Sequence, residues 1–214
     1  MSQTIFADGT VYSNTKLNMI NKCLLSIGEV PFLEGTLMSS LQPGTDGDIA
    51  RRIVEETMIE VQSIGWYFNL DYNFKLYKDV DSFIAIPPNV LRIDTIDSNR
   101  YMEKNGRLYD MEEQTYIIIP EYVETDIVWL VDYPVLPPEA YEYIAARASR
   151  KFQEQVIGAP DLTSTTSRAE QDTFVRMQRR QLQTRAYNIQ NERVSTRVHS
   201  GYLQRGLYGN KGRL

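Results

Sequence analysis

Apolar residues recur at intervals of three and four along both ends of the chain, a spacing typical of amphipathic helices. The first such segment follows Ser13-Asn14-Thr15, which can cap a helix, and ends at Gly28. The second follows Asp48, another candidate cap, and ends at Gly65. The intervening residues 29–47 contain prolines and glycines and are predicted to form a long loop.

Two more helices are predicted in the last third of the chain. Pro137 and Pro138 favour a helix start, and apolar residues line one face of the segment that follows. Ser167 and Glu170 have the spacing of a capping box, which predicts a fourth helix that runs to about Val194. Its apolar seam is thin, so part of this helix is expected to contact a partner or another subunit. The seam consists of Phe174, Val175, Met177, Leu182, Ala186 and Ile189.

Between the two helical parts the hydrophobic period shortens to about 2, which predicts short β-strands. The strongest strand patterns are residues 115–119 and 126–132, where β-branched and aromatic residues cluster between turn signals. The Asn105-Gly106 pair accepts two positive φ angles and therefore predicts a tight hairpin. The remaining predicted strands are residues 66–70, 73–78, 83–86, 91–96 and 107–109.

These patterns predict an α+β fold, in which a helical bundle from both chain ends is interrupted by an inserted antiparallel β subdomain. The bundle is assigned to residues 1–65 and 137–194, and the β-rich subdomain to residues 66–136. Residues 195–214, which are rich in glycine and basic residues, are predicted to form a flexible C-terminal tail.

Two pairs of residues have expected packing roles. Trp66 and Phe68 are expected to anchor the β subdomain against the bundle, because aromatic rings bury a large apolar area. Arg150 and Lys151, on the third predicted helix, are expected to point outward or toward another subunit.

Charge is distributed unevenly along the chain. Residues 1–138 contain 21 Asp and Glu against 10 Lys and Arg, whereas residues 139–214 contain 7 against 13. This asymmetry indicates different partners for the two parts. No segment approaches the roughly 20 apolar residues that a membrane span needs, so a soluble protein without a membrane partner is expected. The first residues show no secretory signal, so synthesis in a cytoplasm is expected.

Candidate catalytic chemistry is sparse. His199 is the only histidine and lies in the glycine-rich tail, so no catalytic triad is expected. Cys23 is the only cysteine, which excludes a Cys/His metal site within one chain, and its apolar surroundings are those of a buried hydrophobe. Asp46-Gly47-Asp48 and Asp79-Val80-Asp81 do not continue into a calcium loop and are interpreted as turn or cap residues. The sequence predicts a non-enzymatic protein with no cofactor and no metal.

Several short motifs occur in a fixed order along the chain. Before the β-rich part these are Ser26-Ile27-Gly28-Glu29, Ala50-Arg51-Arg52-Ile53 and Gln62-Ser63-Ile64-Gly65-Trp66-Tyr67-Phe68-Asn69. After it come Leu130-Val131-Asp132-Tyr133, Ala148-Ser149-Arg150-Lys151-Phe152-Gln153 and Gly158-Ala159-Pro160. Their order and spacing over roughly residues 15–190 resemble the tail tubular protein A family of podoviruses.

The resemblance implies a structural protein of the virion tail, a head-to-tail adaptor of a short-tailed bacteriophage that is assembled in the host cytoplasm. It implies a homo-oligomer, a dodecameric ring that binds the portal protein above and a nozzle protein similar to tail tubular protein B below. Tail fibres would contact the side of the ring, and viral DNA would pass through its lumen.

Two other functions stay open on the residues alone. The basic C-terminal helix would suit a nucleic-acid-binding protein, whose affinity falls steeply with added salt. A tail-associated polysaccharide hydrolase would need two carboxylates at a defined separation, which the sequence does not give.

The C-terminal helix and tail form the predicted portal-binding segment. Arginine makes forked hydrogen bonds and tyrosine buries a large ring at low entropic cost, so both residues suit protein interfaces. The predicted portal-binding residues are Arg179, Arg180, Arg193, Arg197, Tyr202, Leu203, Arg205, Leu207 and Tyr208.

Overall fold

The protein is described by a computed structural model that covers residues 4–5, 11–12, 15–33, 41–95, 100–158 and 160–191. The strands are β1 (Thr4–Ile5), β2 (Val11–Tyr12), β3 (Leu70–Tyr77), β4 (Val90–Thr95), β5 (Tyr101–Lys104), β6 (Arg107–Asp110) and β7 (Tyr122–Trp129). The α-helices are α1 (Lys16–Ser26), α2 (Asp46–Gln62), α3 (Pro138–Val156) and α4 (Pro160–Asn191), and a 3-10 helix spans Tyr133–Val135. The predicted α+β class is confirmed. The predicted tail, residues 195–214, lies outside the described residues.

Helix α3 is the centre of the helical bundle and contacts α1, α2 and α4. Ala140, Ala145 and Ala148 are fully buried on it, and their small side chains permit close approach of the neighbouring helices. Tyr141 and Phe152 fill the space between these alanines and are also buried. Apolar residues of the other helices complete this first core, namely Met19, Ile20, Leu24, Ala50, Ile53, Val54, Met58 and Met177.

The helix starts agree only partly with the sequence predictions. Thr15 caps α1 as predicted, and its hydroxyl accepts a hydrogen bond from the Asn18 N–H at 3.2 Å. The prediction of Asp48 as the cap of α2 is wrong, because Thr45 caps this helix instead. The Asp48 carboxylate is engaged elsewhere, by Arg51 at 2.8 Å and by the Gly44 N–H at 3.1 Å.

Helix α4 begins earlier than the sequence predicts. Its first residue is Pro160, which suits a first helical turn because it needs no backbone donor there. The predicted capping box of Ser167 and Glu170 is therefore wrong, since both residues lie inside the helix. The Glu170 side chain instead accepts hydrogen bonds from Arg147 and Arg150 of α3. The predicted end near Val194 lies outside the described residues.

The β-rich part contains a three-stranded antiparallel sheet in the order β3-β7-β4 and a separate hairpin of β5 and β6. The hairpin turns at Asn105 and Gly106, with φ angles of 56° and 70°, which confirms the predicted turn. The hairpin packs over one face of the sheet and forms a second core. Its buried residues are Leu76, Ile84, Tyr101, Leu108, Ile118, Val123 and Ile127.

Three predicted strands are wrong. Of residues 66–70 only Leu70 belongs to a strand, and residues 66–69 form a turn before β3. Residues 83–86 contain only an isolated bridge at Ala85, and residues 115–119 contain only an isolated bridge at Thr115. The remaining predicted strands correspond to β3, β4, β6 and β7, with shifted ends.

Two buried amide side chains connect the bundle to the sheet. The Gln62 amide, at the end of α2, makes two hydrogen bonds with the backbone of Val131, which follows β7. The Asn69 amide donates to the carbonyl oxygens of Gln62 at 2.9 Å and Trp129 at 2.8 Å. Trp66, a predicted anchor, is buried in the bundle core, and Phe68 packs against that core. The division of the chain into domains at residues 65 and 137 stays a prediction.

Candidate subunit and partner interface

One face of α4 is fixed to the rest of the chain. Met177 is fully buried, and the Phe174 ring packs edge-on against Trp66 with centroids 6.3 Å apart. Phe174 also contacts the Tyr143 ring, at 5.1 Å between centroids. Further along, the Gln181 side-chain oxygen accepts a hydrogen bond from the Tyr67 N–H at 2.7 Å. The helix is therefore anchored along one side as far as Gln181.

The opposite face of α4 is exposed and basic. Arg168, Val175, Arg176, Arg179 and Leu182 are all exposed there, and Leu182 is 66% exposed. None of these three arginines forms an ion pair with another residue that the structure describes. Arg176 lies one turn from Arg179, and like charges at this spacing destabilise a helix slightly. Asp172, four residues from both Arg168 and Arg176, is also exposed on this face. The face therefore carries three cations, one carboxylate and two exposed apolar side chains, and its net positive charge suits an acidic partner surface.

Arg180 differs from its neighbour Arg179, although both are exposed. The Arg180 side chain interacts with the Tyr67 side chain. Burial and the nearby Glu139 raise the pKa of Tyr67, and Arg180 opposes this rise. Arg180 is thus partly engaged within the chain, whereas Arg179 is exposed and has no ionic partner among the described residues.

Of the nine predicted portal-binding residues, only Arg179 and Arg180 have described side chains. Portal binding by either arginine stays a prediction. The other seven lie outside the described residues: Arg193, Arg197, Tyr202, Leu203, Arg205, Leu207 and Tyr208.

A network of ion pairs, which the sequence did not reveal, connects α2, α3 and α4. Arg147 of α3 contacts Glu60 of α2 and Glu170 of α4. Arg150 also binds Glu170, and Lys151 also binds Glu60. The expectation that Arg150 and Lys151 point outward or toward another subunit is therefore wrong, because both bind carboxylates of their own chain. The carboxylate partners come from other helices, so only the fold brings them together.

The Arg147 guanidinium stays charged in this network. Burial lowers its pKa, but hydrogen bonds with Glu60 and Glu170 outweigh this effect and raise the pKa above its usual value. Two further ion pairs join Lys16 to Glu55 and Lys22 to Glu142, so charges connect α1 to both α2 and α3.

The candidate chemical groups have structural roles. Cys23 is buried, as interpreted from the sequence, and burial raises the pKa of its thiol to about 12, so it is protonated at neutral pH. Asp48 binds Arg51 near the start of α2, and Asp79 accepts hydrogen bonds from the backbone N–H groups of Asp81 and Phe83. The interpretation as turn residues is confirmed for Asp79, whereas Asp46 and Asp48 lie in the first turn of α2 and do not cap it. His199 lies outside the described residues.

Within the residues with described positions, no group of three or more His, Cys, Asp or Glu is arranged to hold a metal ion. Nor does any described helix combine the length and apolarity that crossing a membrane requires.

A comparison with known protein families shows which family contains this chain. A model of tail tubular proteins matches residues 17–187, which extend from α1 to near the end of α4. The chain belongs to the tail tubular protein family. A comparison with curated proteins finds no match. As a tail tubular protein, the chain is a structural component of a bacteriophage virion tail.

The matched residues include both buried cores, the ion-pair network and the exposed face of α4. The seven predicted portal-binding residues without described side chains all follow the end of the match. The architecture therefore belongs to the shared part of tail tubular proteins, whereas these seven residues belong to the segment after it.

Proposed function

We propose that this tail tubular protein is a head-to-tail adaptor of a short-tailed bacteriophage. It forms a ring, expected to be dodecameric, between the portal protein and a nozzle protein similar to tail tubular protein B. Tail fibres contact the side of this ring, and viral DNA passes through its lumen. Assembly takes place in the host cytoplasm.

The exposed face of α4 is the observation that carries this proposal. One side of the helix is fixed by Met177 and Gln181, while Arg168, Arg176 and Arg179 have no ionic partner in the described part of the chain. A helix with one anchored side and one unpaired basic side is suited to hold a second protein at a fixed angle. In a family of tail components, other tail proteins are the natural partners.

The portal-binding segment begins on this helix and continues to the C-terminus. Arg179 and Arg180 lie toward the end of α4 that leads into the C-terminal segment, so they are assigned to the same predicted portal-binding segment as its basic and aromatic residues. Arginine and tyrosine carry a large share of binding energy in protein interfaces. The acidic balance of residues 1–138 suits a DNA conduit that does not retain phosphates.

Deletion of residues 195–214 tests portal binding. The full chain and the deletion are each mixed with the portal protein of the same phage, and complexes are separated by sedimentation. We expect the deletion to lose attachment, while its circular dichroism spectrum stays that of the full chain. Arg179→Glu is expected to weaken attachment, whereas Arg52→Glu, which reverses an exposed arginine on α2, serves as the matched control. Unchanged attachment by the deletion would refute a necessary docking role.

Nucleic-acid binding is the second candidate function, because unpaired arginines also bind phosphates. It predicts that short duplex DNA competes with the portal for the protein, and that added salt weakens both complexes to a similar degree. The adaptor predicts that portal attachment persists when duplex DNA is added in excess.

A further inference from the structure

The end of the sheet farthest from the bundle carries a dense group of exposed apolar side chains. We call this end the β tip and define it as residues 77–82 and 117–122. The two segments are hydrogen-bonded to each other, through Lys78 N–H to the Glu121 carbonyl at 3.2 Å and Ile118 N–H to the Ser82 carbonyl at 2.8 Å. The exposed apolar residues of the β tip are Tyr77, Val80, Ile117, Ile119 and Tyr122.

This exposure is too large to be incidental. Val80 is 100% exposed, Ile119 is 70% exposed and Tyr77 is 61% exposed. Single exposed hydrophobic residues are common on protein surfaces, but a contiguous group of large ones marks an interaction site. The Tyr77 and Tyr122 rings also lie against each other, with centroids 5.6 Å apart, so they present one combined aromatic surface.

The β tip is also acidic. Asp79, Asp81 and Glu121 are exposed there. The ammonium group of Lys78 is directed inward and donates to the carbonyl oxygens of Ile119 at 2.7 Å and Ile118 at 3.3 Å. A partner must therefore offer apolar area together with positive charge.

Exposed apolar residues lie at several other places on the described chain, and two of these places are candidate partner surfaces for the β tip. One is a groove of about 390 Å³ lined by Leu24, Val30, Phe32 and Leu41. Glu29 and Asp46 also line this groove, so it would place carboxylates against the acidic β tip. Like charges brought together at an interface are strongly unfavourable, which excludes the groove as the partner surface.

The second surface is the exposed face of α4. It is complementary to the β tip in apolar area and in charge. Val175 and Leu182 supply apolar area, while Arg168 and Arg176 supply the cations that lack an ionic partner among the described residues. Arginine can stack on tyrosine rings and bind carboxylates with its fork of donors. The β tip and the α4 face thus match in apolar area and carry opposite charges.

We propose that the β tip of one subunit docks on the α4 face formed by Arg168, Val175, Arg176 and Leu182 of a second copy of this chain. Two different patches on each subunit make a head-to-tail contact, which closes into a ring when the rotation between subunits allows it. The proposal of this interface depends on the ring that is part of the proposed function. Arg179 and Arg180, which lie between Arg176 and Leu182 in the sequence, are assigned to the portal and not to this interface.

A charge exchange between the two surfaces tests the proposal. The tip variant carries Asp79→Lys and Asp81→Lys, and the helix variant carries Arg168→Glu and Arg176→Glu. The control carries Glu103→Lys and Glu113→Lys, two exposed positions outside the β tip. Each full-length protein is examined by native mass spectrometry and sedimentation, alone and with the portal protein, after circular dichroism has shown that it is folded.

We expect wild type and control to form rings, and each variant alone to associate about 100-fold more weakly or worse, because identical variants bring like charges together. An equal mixture of the two variants should restore rings in which they alternate. In this mixture each lysine tip meets a glutamate helix, and each aspartate tip meets an arginine helix.

Rings formed by either variant alone would overturn the interface while leaving the adaptor function intact. A mixture that stays monomeric would also overturn it, because the two surfaces then do not meet. If the tip variant forms normal rings but fails to bind the nozzle protein, the β tip has a different occupant and the proposal is wrong. Wild type that stays monomeric with and without the portal would refute the proposed ring itself, and the interface with it.

Discussion

The Gln62 side chain pairs with the backbone of Val131 as one strand residue pairs with another. Its Nε2 donates to the Val131 carbonyl at 2.9 Å, and its Oε1 accepts from the Val131 N–H at 2.8 Å. Gln62 is fully buried, so water cannot replace either bond. One side chain at the end of α2 thereby satisfies the backbone of the segment that leads from β7 toward α3.

Gln62→Leu is expected to lower the free energy of unfolding by about 2–4 kcal/mol. Leucine fills most of the space but leaves the buried N–H and C=O of Val131 without partners, and each unsatisfied group costs about 1–3 kcal/mol. The measurement is urea denaturation followed by circular dichroism. Gln155→Leu, at an exposed position on α3, is the control and should change stability by less than about 0.5 kcal/mol. Equal effects of the two substitutions would contradict the role assigned to Gln62.

Arg147→Met is expected to cost about 2–3 kcal/mol of stability. Methionine keeps much of the apolar stem but leaves Glu60 with Lys151 alone and Glu170 with Arg150 alone. The cost is set below that of a fully buried ion pair because the Arg147 side chain is about a quarter exposed. Arg52→Met, at a more exposed arginine on α2, is expected to change stability by less than about 1 kcal/mol. A loss of less than about 1 kcal/mol for Arg147→Met would show that the network contributes little.

The protein is expected to lose stability in acid, between about pH 5 and pH 3. Hydrogen bonds from Lys151 and Arg147 hold the pKa of Glu60 below its usual value of 4.5. Burial raises the pKa of Asp110, but hydrogen bonds from the Glu113 N–H, Arg100 and the Glu112 N–H outweigh it and hold the pKa below 3.8. A carboxylate with a lowered pKa in the folded state stabilises the fold above its unfolded pKa, and this contribution disappears as the pH falls through the folded value.

Denaturation in urea at a series of pH values measures this dependence. Glu60→Gln should lower stability at pH 7 and make the loss in acid shallower, because one of the two carboxylates no longer titrates. Glu103→Gln, at an exposed position without a described ion pair, should leave the shape of the curve unchanged. Identical curves for Glu60→Gln and wild type would remove Glu60 from the explanation.

Deletion of residues 195–214 is expected to leave the fold intact. All buried residues of the two cores lie between Met19 and Met177, so the deletion removes none of them. Thermal unfolding should stay cooperative, with a free energy of unfolding within about 0.5 kcal/mol of the full chain. Loss of the cooperative transition would show that the last 20 residues contribute to the core.

Local signals in the sequence predicted those features that depend on a few neighbouring residues. The hairpin at Asn105 and Gly106 is one, because the turn itself requires positive φ at both positions. The cap at Thr15 is another, because a hydroxyl at this place satisfies a backbone donor three residues later. The order of the helices and the β-rich part also followed from changes in hydrophobic period.

Features that depend on distant partners were not predictable. The segment from Thr115 to Ile119 alternates as a strand does, and Ile118 is indeed buried in the second core. The segment still does not pair with another strand along its length. Its residues have high β propensity, which indicates burial on a pleated surface and not the presence of a neighbouring strand. Residues 66–69 have the aromatic content of a strand, but the Asn69 side chain accepts the Trp66 N–H at 2.7 Å and holds a turn.

The sequence predicted only part of the candidate interface, because the burial of each residue on α4 depends on distant parts of the chain. The sequence showed the thin seam of α4 and its arginines, but not which seam residues would be buried: Met177 is, whereas Leu182 is exposed. Glu60 and Glu170, which pair with Arg147, lie on other helices, and no local pattern connects them to it, whereas the pair of Arg150 with Glu154 on α3 has ordinary i,i+4 spacing.

The double hydrogen bond between Gln62 and Val131 also affects the entropy of assembly. Only two passages of the chain connect the bundle with the sheet, and the side chains of Gln62 and Asn69 bind both of them. The sheet is therefore held to the bundle before a second subunit arrives. Ordering a loose element on binding reduces affinity, and a preorganised one avoids this cost. A subunit built in this way can present two surfaces at a fixed relative angle, so every copy in an assembly is related to the next by the same rotation, and the size of that rotation decides whether the copies close into a ring.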